Sequence, residues 1–264
     1  MPGNAVPNFV ASRDGLHFVN DWPSQPDFVI NLPVAGTVKI GNASNGLCGG
    51  MVYAVRDFYE AKVPTPTDPR PAAGTPLYSF IVRRLFDSFD LPGGVVKYYN
   101  WMNLPDADQS LLAITRHGIG WHTITEEWPQ IKADIDGGHP CPLGLVTVQS
   151  MNPMDLGMCH QVLAYAYDLE GSTLTVDLYD PNTDPGSADA CSMSLDIGNP
   201  SKKVGITHNV GISDPIRGFF RTRYQPADPS QFAPPPAPPA PDPTPPAPQA
   251  PAPDPTPPAA PLTS

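Results

Sequence analysis

Residues His160–Asn182 read HQVLAYAYDLEGSTLTVDLYDPN. Two runs rich in β-branched and aromatic residues flank a short segment holding Gly171, the pattern of two antiparallel strands joined by a tight turn. Strands are predicted over Cys159–Asp168 and Thr173–Asp180. Taking Leu169, Glu170 and Gly171 as a three-residue loop, with the glycine in the left-handed position that closes such loops, sets Asp168 opposite Ser172. Paired residue numbers then sum to 340, and His160 falls opposite Asp180. Opposed side chains on one face have Cβ atoms about 4.5–5.5 Å apart, so a carboxylate there can hold an imidazole N–H. A two-residue loop would shift the pairing by one and send the two side chains to opposite faces. The placement therefore rests on Gly171.

Around this hairpin the strand texture continues. Leu143–Val148 is a short apolar run, and Met193–Ile197, Val204–His208 and Arg217–Tyr224 are weaker strand candidates. Upstream the periodicity is helical. Met51, Val55 and Phe58 recur at helical spacing, which predicts a helix from Cys48 to about Ala61, stopped by the proline-rich stretch Pro64–Pro76. Thr75 as N-cap with Pro76 at the first helical position opens a second helix, along which Leu77, Ile81, Leu85 and Phe89 form a core stripe. Helices are also predicted over Asp106–His117, ending at Gly118, and over Glu126–Asp136, ending at Gly137. Helices first and sheet second indicate an α+β fold, an N-terminal helical half packed on a C-terminal antiparallel sheet, within one domain spanning 1–232.

The remainder, 233–264, is of a different kind. The chain holds 38 prolines, and PAPDPTPPA occurs at Pro239–Ala247 and again at Pro251–Ala259. Such a tail lacks the apolar residues that offset ordering entropy and is predicted to be disordered and extended, a spacer or a docking element. The net charge of −11, without a basic run, argues against nucleic acid and anionic membranes as partners. No apolar run approaches the roughly 20 residues of a membrane helix. The N-terminus MPGNAVPNFVASRDG carries no classical signal peptide. Cytoplasmic residence, or export by a specialised system, is expected. Four cysteines in 264 residues are not a disulfide scaffold.

Asn42–Met51 reads NASNGLCGGM and places Cys48 in the first turn of the predicted helix. Unpaired N–H groups and the helix dipole favour negative charge there, so a thiol at this position can serve as a nucleophile. Gly49 and Gly50 are expected to leave the backbone bare for a substrate carbonyl. A nucleophilic thiol needs a base and a group that orients the base. His160 and Asp180 fill those roles in the register above.

GLCGG opening a helix, a later His opening an apolar strand and an Asp ending the next strand resemble the papain-like cysteine peptidase superfamily. Within it the chain is most similar to the bacterial branch that trims double-glycine leaders. Gly138-His139-Pro140 before Leu143–Val148, then His160-Gln161-Val162-Leu163, Tyr167-Asp168 and Asp180-Pro181-Asn182 carry that similarity, from about Gly41 to Asn182. The resemblance implies a papain-like fold and thiol hydrolysis of an amide, with a peptide or protein as substrate and no cofactor. It also implies an amide donor to the oxyanion six residues before the nucleophile. That position holds Asn42, where the family has Gln, and Asn45 is a nearer alternative. The stretch 64–101 is an insertion relative to the leader-trimming enzymes.

Other readings of the same residues remain. The triad chemistry also serves deamidation, transglutamination or cleavage of cell-wall stem peptides, and the fold could persist as a binding or assembly protein. A zinc site from His139, Cys141, Cys159 and His160 is conceivable, but no C-x-x-C or H-E-x-x-H spacing supports it. His17, His117, His122 and His208 are isolated. Trp101, Trp121 and Trp128 read as core or as groove lining. Arg217–Tyr224 reads as a late strand with one buried face.

Overall fold

The computed structural model describes residues 3–22, 28–32, 36–40, 46–90, 93–112 and 114–235. Met1–Ala233 forms one compact unit and Pro234–Ser264 a second. The centre of the first is a helix, α1, over Cys48–Ala61. Every residue from Cys48 to Phe58 is buried, so this helix is covered all round. It ends where Lys62 adopts the left-handed conformation (φ 55°) and returns its N–H to the last turn.

Helix α2, Pro76–Ser88, starts as the sequence predicts, with the Thr75 hydroxyl accepting from the Tyr78 N–H and Pro76 in the first turn. Leu77, Ile81, Leu85 and Phe89 are all buried, joined by Phe80. Burial of each such side chain contributes about 1.5–3 kcal/mol. The α1–α2 contact is close because α1 presents glycine. A Cβ on Gly50 would run into the Ile81 backbone carbonyl, and one on Gly49 into Ser88 Oγ and Gln161 Nε2. The two glycines are packing residues, a correction to the expectation that they bare the backbone for a substrate.

Helix α3, Gly93–Met102, was not legible as a helix among glycines and β-branched residues, yet its buried Val95, Tyr98, Trp101 and Met102 fall at helical spacing. Helix α4, Trp128–Asp136, continues a helical run that begins at Ile119 and passes through a π-helical stretch, His122–Glu127. The π stretch sits just ahead of Pro129, which has no N–H to return to the preceding turn.

The sheet is antiparallel. Its strands are β1 (Asn4–Ala5), β6 (Cys141–Val146), β7 (His160–Glu170), β8 (Thr173–Tyr179), β9 (Ser192–Asp196), β10 (Ile206–His208) and β11 (Gly218–Arg221). Their order is β10-β9-β8-β7-β6-β11, and β1 pairs with the far end of β7. Two separate hairpins, β2 (Phe28–Leu32) with β3 (Gly36–Ile40) and β4 (Gln109–Leu111) with β5 (Ile114–Arg116), lie outside it. The architecture is α+β, as expected, with two hairpins interrupting the helical half.

The hairpin β4–β5 replaces the helix predicted over Asp106–His117. Leu111, Leu112 and Ile114 mimic helical spacing but are 76%, 89% and 74% exposed, so no core face drives a helix. Gly118 precedes the helical run at Ile119 instead of ending one, and Asp108 Oδ1 accepts its N–H. Phe219 and Phe220 of β11 are both fully buried, so this strand is covered on two faces, against the expectation of one. Its flanking cations face acids within the protein, Arg217 on Asp106 and Arg221 on Asp134.

After β11 the chain crosses the α1–α2 pair. Tyr53 Oη donates to the Arg223 carbonyl, Arg84 to the Gln225 carbonyl, and Phe232 packs edge-on against Phe58 and Phe80. Arg84 and Asp57 form an ion pair beneath this crossing, at 2% and 0% side-chain exposure.

Candidate active site

His160 opens β7 and Asp180 follows β8 directly. The pairing between these strands differs from the one expected. Glu170 pairs with Thr173, so the turn holds two residues, Gly171 (φ 61°) and Ser172, and paired numbers sum to 343. Alone, that odd sum would separate His160 and Asp180 onto opposite faces. A bulge at Tyr165 shifts the register, and Ala164↔Leu178 and Leu163↔Tyr179 sum to 342. The bulge restores the parity. His160 and Asp180 therefore share a face, offset diagonally by two residues and not directly opposed.

The contact is made nonetheless. His160 Nε2 lies 2.6 Å from Asp180 Oδ1, with both residues buried. Three further donors hold the carboxylate. The Asn182 N–H reaches Oδ1 at 3.0 Å, the Thr183 hydroxyl reaches Oδ2 at 2.8 Å, and the Gly211 N–H reaches Oδ2 at 2.6 Å. Two of these come from the turn Asp180-Pro181-Asn182-Thr183, in which a carboxylate accepting from the N–H two residues on is an ordinary Asx turn. Burial pushes the Asp180 carboxyl up, but His160 and the backbone donors outweigh it and hold the group down at about 2.

Cys48 stands at the first residue of α1, with Leu47 as N-cap and no side chain capping the turn. Its sulfur is near enough to His160 for a thiolate there to act on the imidazole. With Nε2 engaged by Asp180, Nδ1 is the ring nitrogen left for the sulfur. Burial pulls the His160 imidazole down. The negative charge of a Cys48 thiolate and the hydrogen bond to Asp180 overcome that and raise it to about 10. Cys48, His160 and Asp180 are thus brought together in one buried site. Asn42 and Asn45, the candidate oxyanion donors, lie outside the described residues.

Behind the site is a second buried polar group that the sequence reading missed. Gln161, next to His160, donates through Nε2 to Ser88 Oγ at 3.1 Å, and Ser88 donates to the Leu85 carbonyl. Gly144, opposite Gln161 across β6 and β7, has no side chain because Tyr98 Oη lies 2.5 Å from where its Cβ would stand. Gln161 Oε1 and Tyr98 Oη are buried without a partner among the described residues. Gly144 on β6 was the readable signal, a glycine inside an apolar strand.

The remaining candidates disperse. Burial pushes the Cys159 and Cys191 thiols up to about 12 and Cys141 well above its usual value, which disfavours all three as nucleophiles. His139 binds Glu60 at 2.9 Å, away from His160 on Asp180. Among the described residues no group of three or more His, Cys, Asp or Glu side chains could hold a metal ion. His117 stacks on Trp121 with centroids 3.8 Å apart, and His122 contacts Glu126. Trp101 and Trp128 are core residues.

Comparison of the chain with protein-family models, curated proteins and solved structures finds no match.

Proposed function

We propose that the chain is a cysteine hydrolase of papain-like type that cleaves an amide bond in a peptide or protein. The observation that carries this reading is the buried chain from Asp180 through His160 to Cys48, with a carboxylate held by four donors at one end and a helix N-terminus at the other. Asp180 fixes the imidazole so that Nδ1 faces the thiol. His160 takes the Cys48 proton, and the thiolate attacks the acyl carbon. The oxyanion is met by the Cys48 backbone N–H; the second donor in this reading is Asn42 or Asn45, outside the described residues. His160 then protonates the leaving amine, and water hydrolyses the thioester, returning the thiol. No metal or cofactor is required by these steps.

Deamidase, transglutaminase and cell-wall amidase chemistry use the same steps with a different acceptor or pocket. A non-catalytic binding protein is the second reading, and the 7% exposure of Cys48 favours it, since a substrate must reach the sulfur.

The test is site-resolved alkylation of Cys48 by iodoacetamide across pH, in wild type and His160→Ala. At pH 6 an isolated thiol, titrating near 8.5, is roughly 99% protonated. Wild type is expected to react readily at pH 6, and His160→Ala about a hundredfold more slowly. An inert Cys48, or equal rates in the two proteins, overturns the hydrolase and leaves the binding protein.

A further inference from the structure

The hairpin β4–β5 stands apart from the sheet and carries three of the four large apolar side chains that are more than 70% exposed among the described residues. Leu111 and Ile114 pair across it and share a face with the next non-adjacent pair, Gln109 and Arg116. Leu112 at the turn is held in the left-handed conformation (φ 49°) with 89% of its surface exposed. A β-branched or aliphatic residue is ordinarily kept out of such a turn, and apolar side chains at a tip are ordinarily covered. Here neither rule is followed.

The charge around the hairpin is arranged behind the tip. Arg116 is exposed, with one guanidinium nitrogen on the Asn103 carbonyl. Lys202 and Lys203 are exposed on the loop whose Ser201 carbonyl accepts the Asp108 N–H at the hairpin base. The neighbouring acids are engaged by the protein. Asp106 is bound by Arg217 and Lys203, and Asp108 by His117 and the Gly118 N–H. At a rise of about 3.4 Å per residue, Arg116 sits about 7 Å behind Ile114 along the strand. That is the depth, about 5–10 Å, to which interfacial elements bury their apolar part, so a cation there meets the phosphates.

We propose that the β4–β5 hairpin is an interfacial anchor for bilayers containing anionic lipid, with Leu111, Leu112 and Ile114 in the acyl boundary and Arg116 and Lys202 on the headgroups. The net charge of −11 that argues against a membrane partner averages over the whole chain, whereas screening confines the relevant charge to within about 10 Å of the hairpin. No helix among the described residues is long and apolar enough to cross a membrane, and an interfacial hairpin needs none. The inference is independent of the chemistry at Cys48.

The experiment is co-sedimentation of the full chain with vesicles of phosphatidylcholine and phosphatidylglycerol in equal parts, and with phosphatidylcholine alone. Wild type is expected to sediment with the mixed vesicles and more weakly with the neutral ones. The triple variant Leu111→Ser, Leu112→Ser, Ile114→Ser is expected to bind at least about tenfold more weakly, and Arg116→Gln about fivefold. Because these side chains are exposed, both variants should keep the wild-type melting temperature. Failure of wild type to sediment overturns the proposal, as does equal sedimentation of the triple variant. Self-association of wild type on gel filtration that the triple variant loses, without vesicle binding, also overturns it and assigns the hairpin to a second copy of the chain.

Discussion

Asp180 and Asp57 are both buried carboxylates paired with a cation and with backbone N–H groups, yet they are displaced in opposite directions. Asp180 is held down at about 2, while burial keeps Asp57 above the usual carboxylate range. The difference lies in how the donors are spread. Asp180 receives two on each oxygen. Asp57 receives Tyr224 Oη at 2.6 Å, the Ala227 N–H at 2.9 Å and Arg84 Nη2 at 3.2 Å, all on Oδ1. Its Oδ2 lies 2.7 Å from Arg84 Nε but off the line of a hydrogen bond. A cation offsets desolvation only where the donors are aligned. The second difference is what the cation does next. Arg84 spends its remaining donors on Asp87 and the Gln225 carbonyl, whereas His160 keeps a nitrogen for Cys48. One cluster ends in the backbone and the other at the cysteine in the first turn of α1.

Removing each carboxylate's role should therefore break different properties. Asp180→Ala leaves the imidazole unoriented, and an orienting acid of this kind is worth about 10³–10⁴-fold in rate. With an amide substrate in hand, kcat should fall by that factor while the protein stays folded by circular dichroism. A loss of less than about tenfold would mean that Asp180 does not orient the base. Arg84→Met should do the reverse. It strands Asp57 in the core and is expected to cost about 3–5 kcal/mol of stability in urea unfolding, with Cys48 alkylation at pH 6 unchanged in the folded protein. Equal stability of the variant would show that the pair is not what fixes the C-terminal crossing.

Gly50→Ala sharpens the comparison because it touches the α1–α2 packing that both clusters share. The new methyl meets the Ile81 carbonyl, a backbone atom that cannot swing away, so the helices must part. Overpacking of this kind costs about 1–3 kcal/mol. The same displacement moves the first turn of α1 and should slow Cys48 alkylation as well. Loss of stability without loss of alkylation would mean that Cys48 is positioned from the sheet side alone.

The parts of the fold legible in the sequence are those set by local chemistry. Thr75-Pro76 starts α2 and the apolar spacing runs α1 to Ala61, because capping and periodicity act within one turn. The juxtaposition of His160 and Asp180 is legible only in part. The turn is one residue shorter than expected and the bulge at Tyr165 compensates, so the pair meets by a route that turn chemistry does not specify. Bulges answer to packing on both faces of a strand, and β7 is buried throughout His160–Ala164. The Asx turn at Asp180 is readable, but the Gly211 N–H that completes the carboxylate's shell comes from 31 residues away. The hairpin β4–β5 was misread because its apolar residues obey a helical spacing while facing solvent. Gly49 and Gly50 invite a catalytic reading, and only the positions of Ile81, Ser88 and Gln161 show that they are there for close packing.

The smallest effect is also the most direct test of the two carboxylates' opposite displacements. Asp180 has a folded value below that of an unfolded aspartate, so its contribution is full above about pH 4 and is lost as the pH falls toward 2. Asp57 has a folded value above the unfolded one, so acid relieves its burial and stability is gained as the pH falls through that folded value to about 4, above the range in which Asp180 loses its contribution. The two act in opposite directions on either side of about pH 4. Asp57→Asn removes the opposing member, so it should lack the gain in stability that wild type shows on acidification toward pH 4. Asp180→Asn should flatten the fall below about pH 4. His160 adds a limb at the other end, since its folded value near 10 exceeds the unfolded 6.5. Its contribution is full below pH 6.5 and is lost as the pH climbs to 10. Urea titrations of the three proteins at pH 3, 5, 7 and 9 separate these terms. If Asp57→Asn and wild type fall in parallel, Asp57 is not displaced upward, and alignment of donors is not what distinguishes the two clusters.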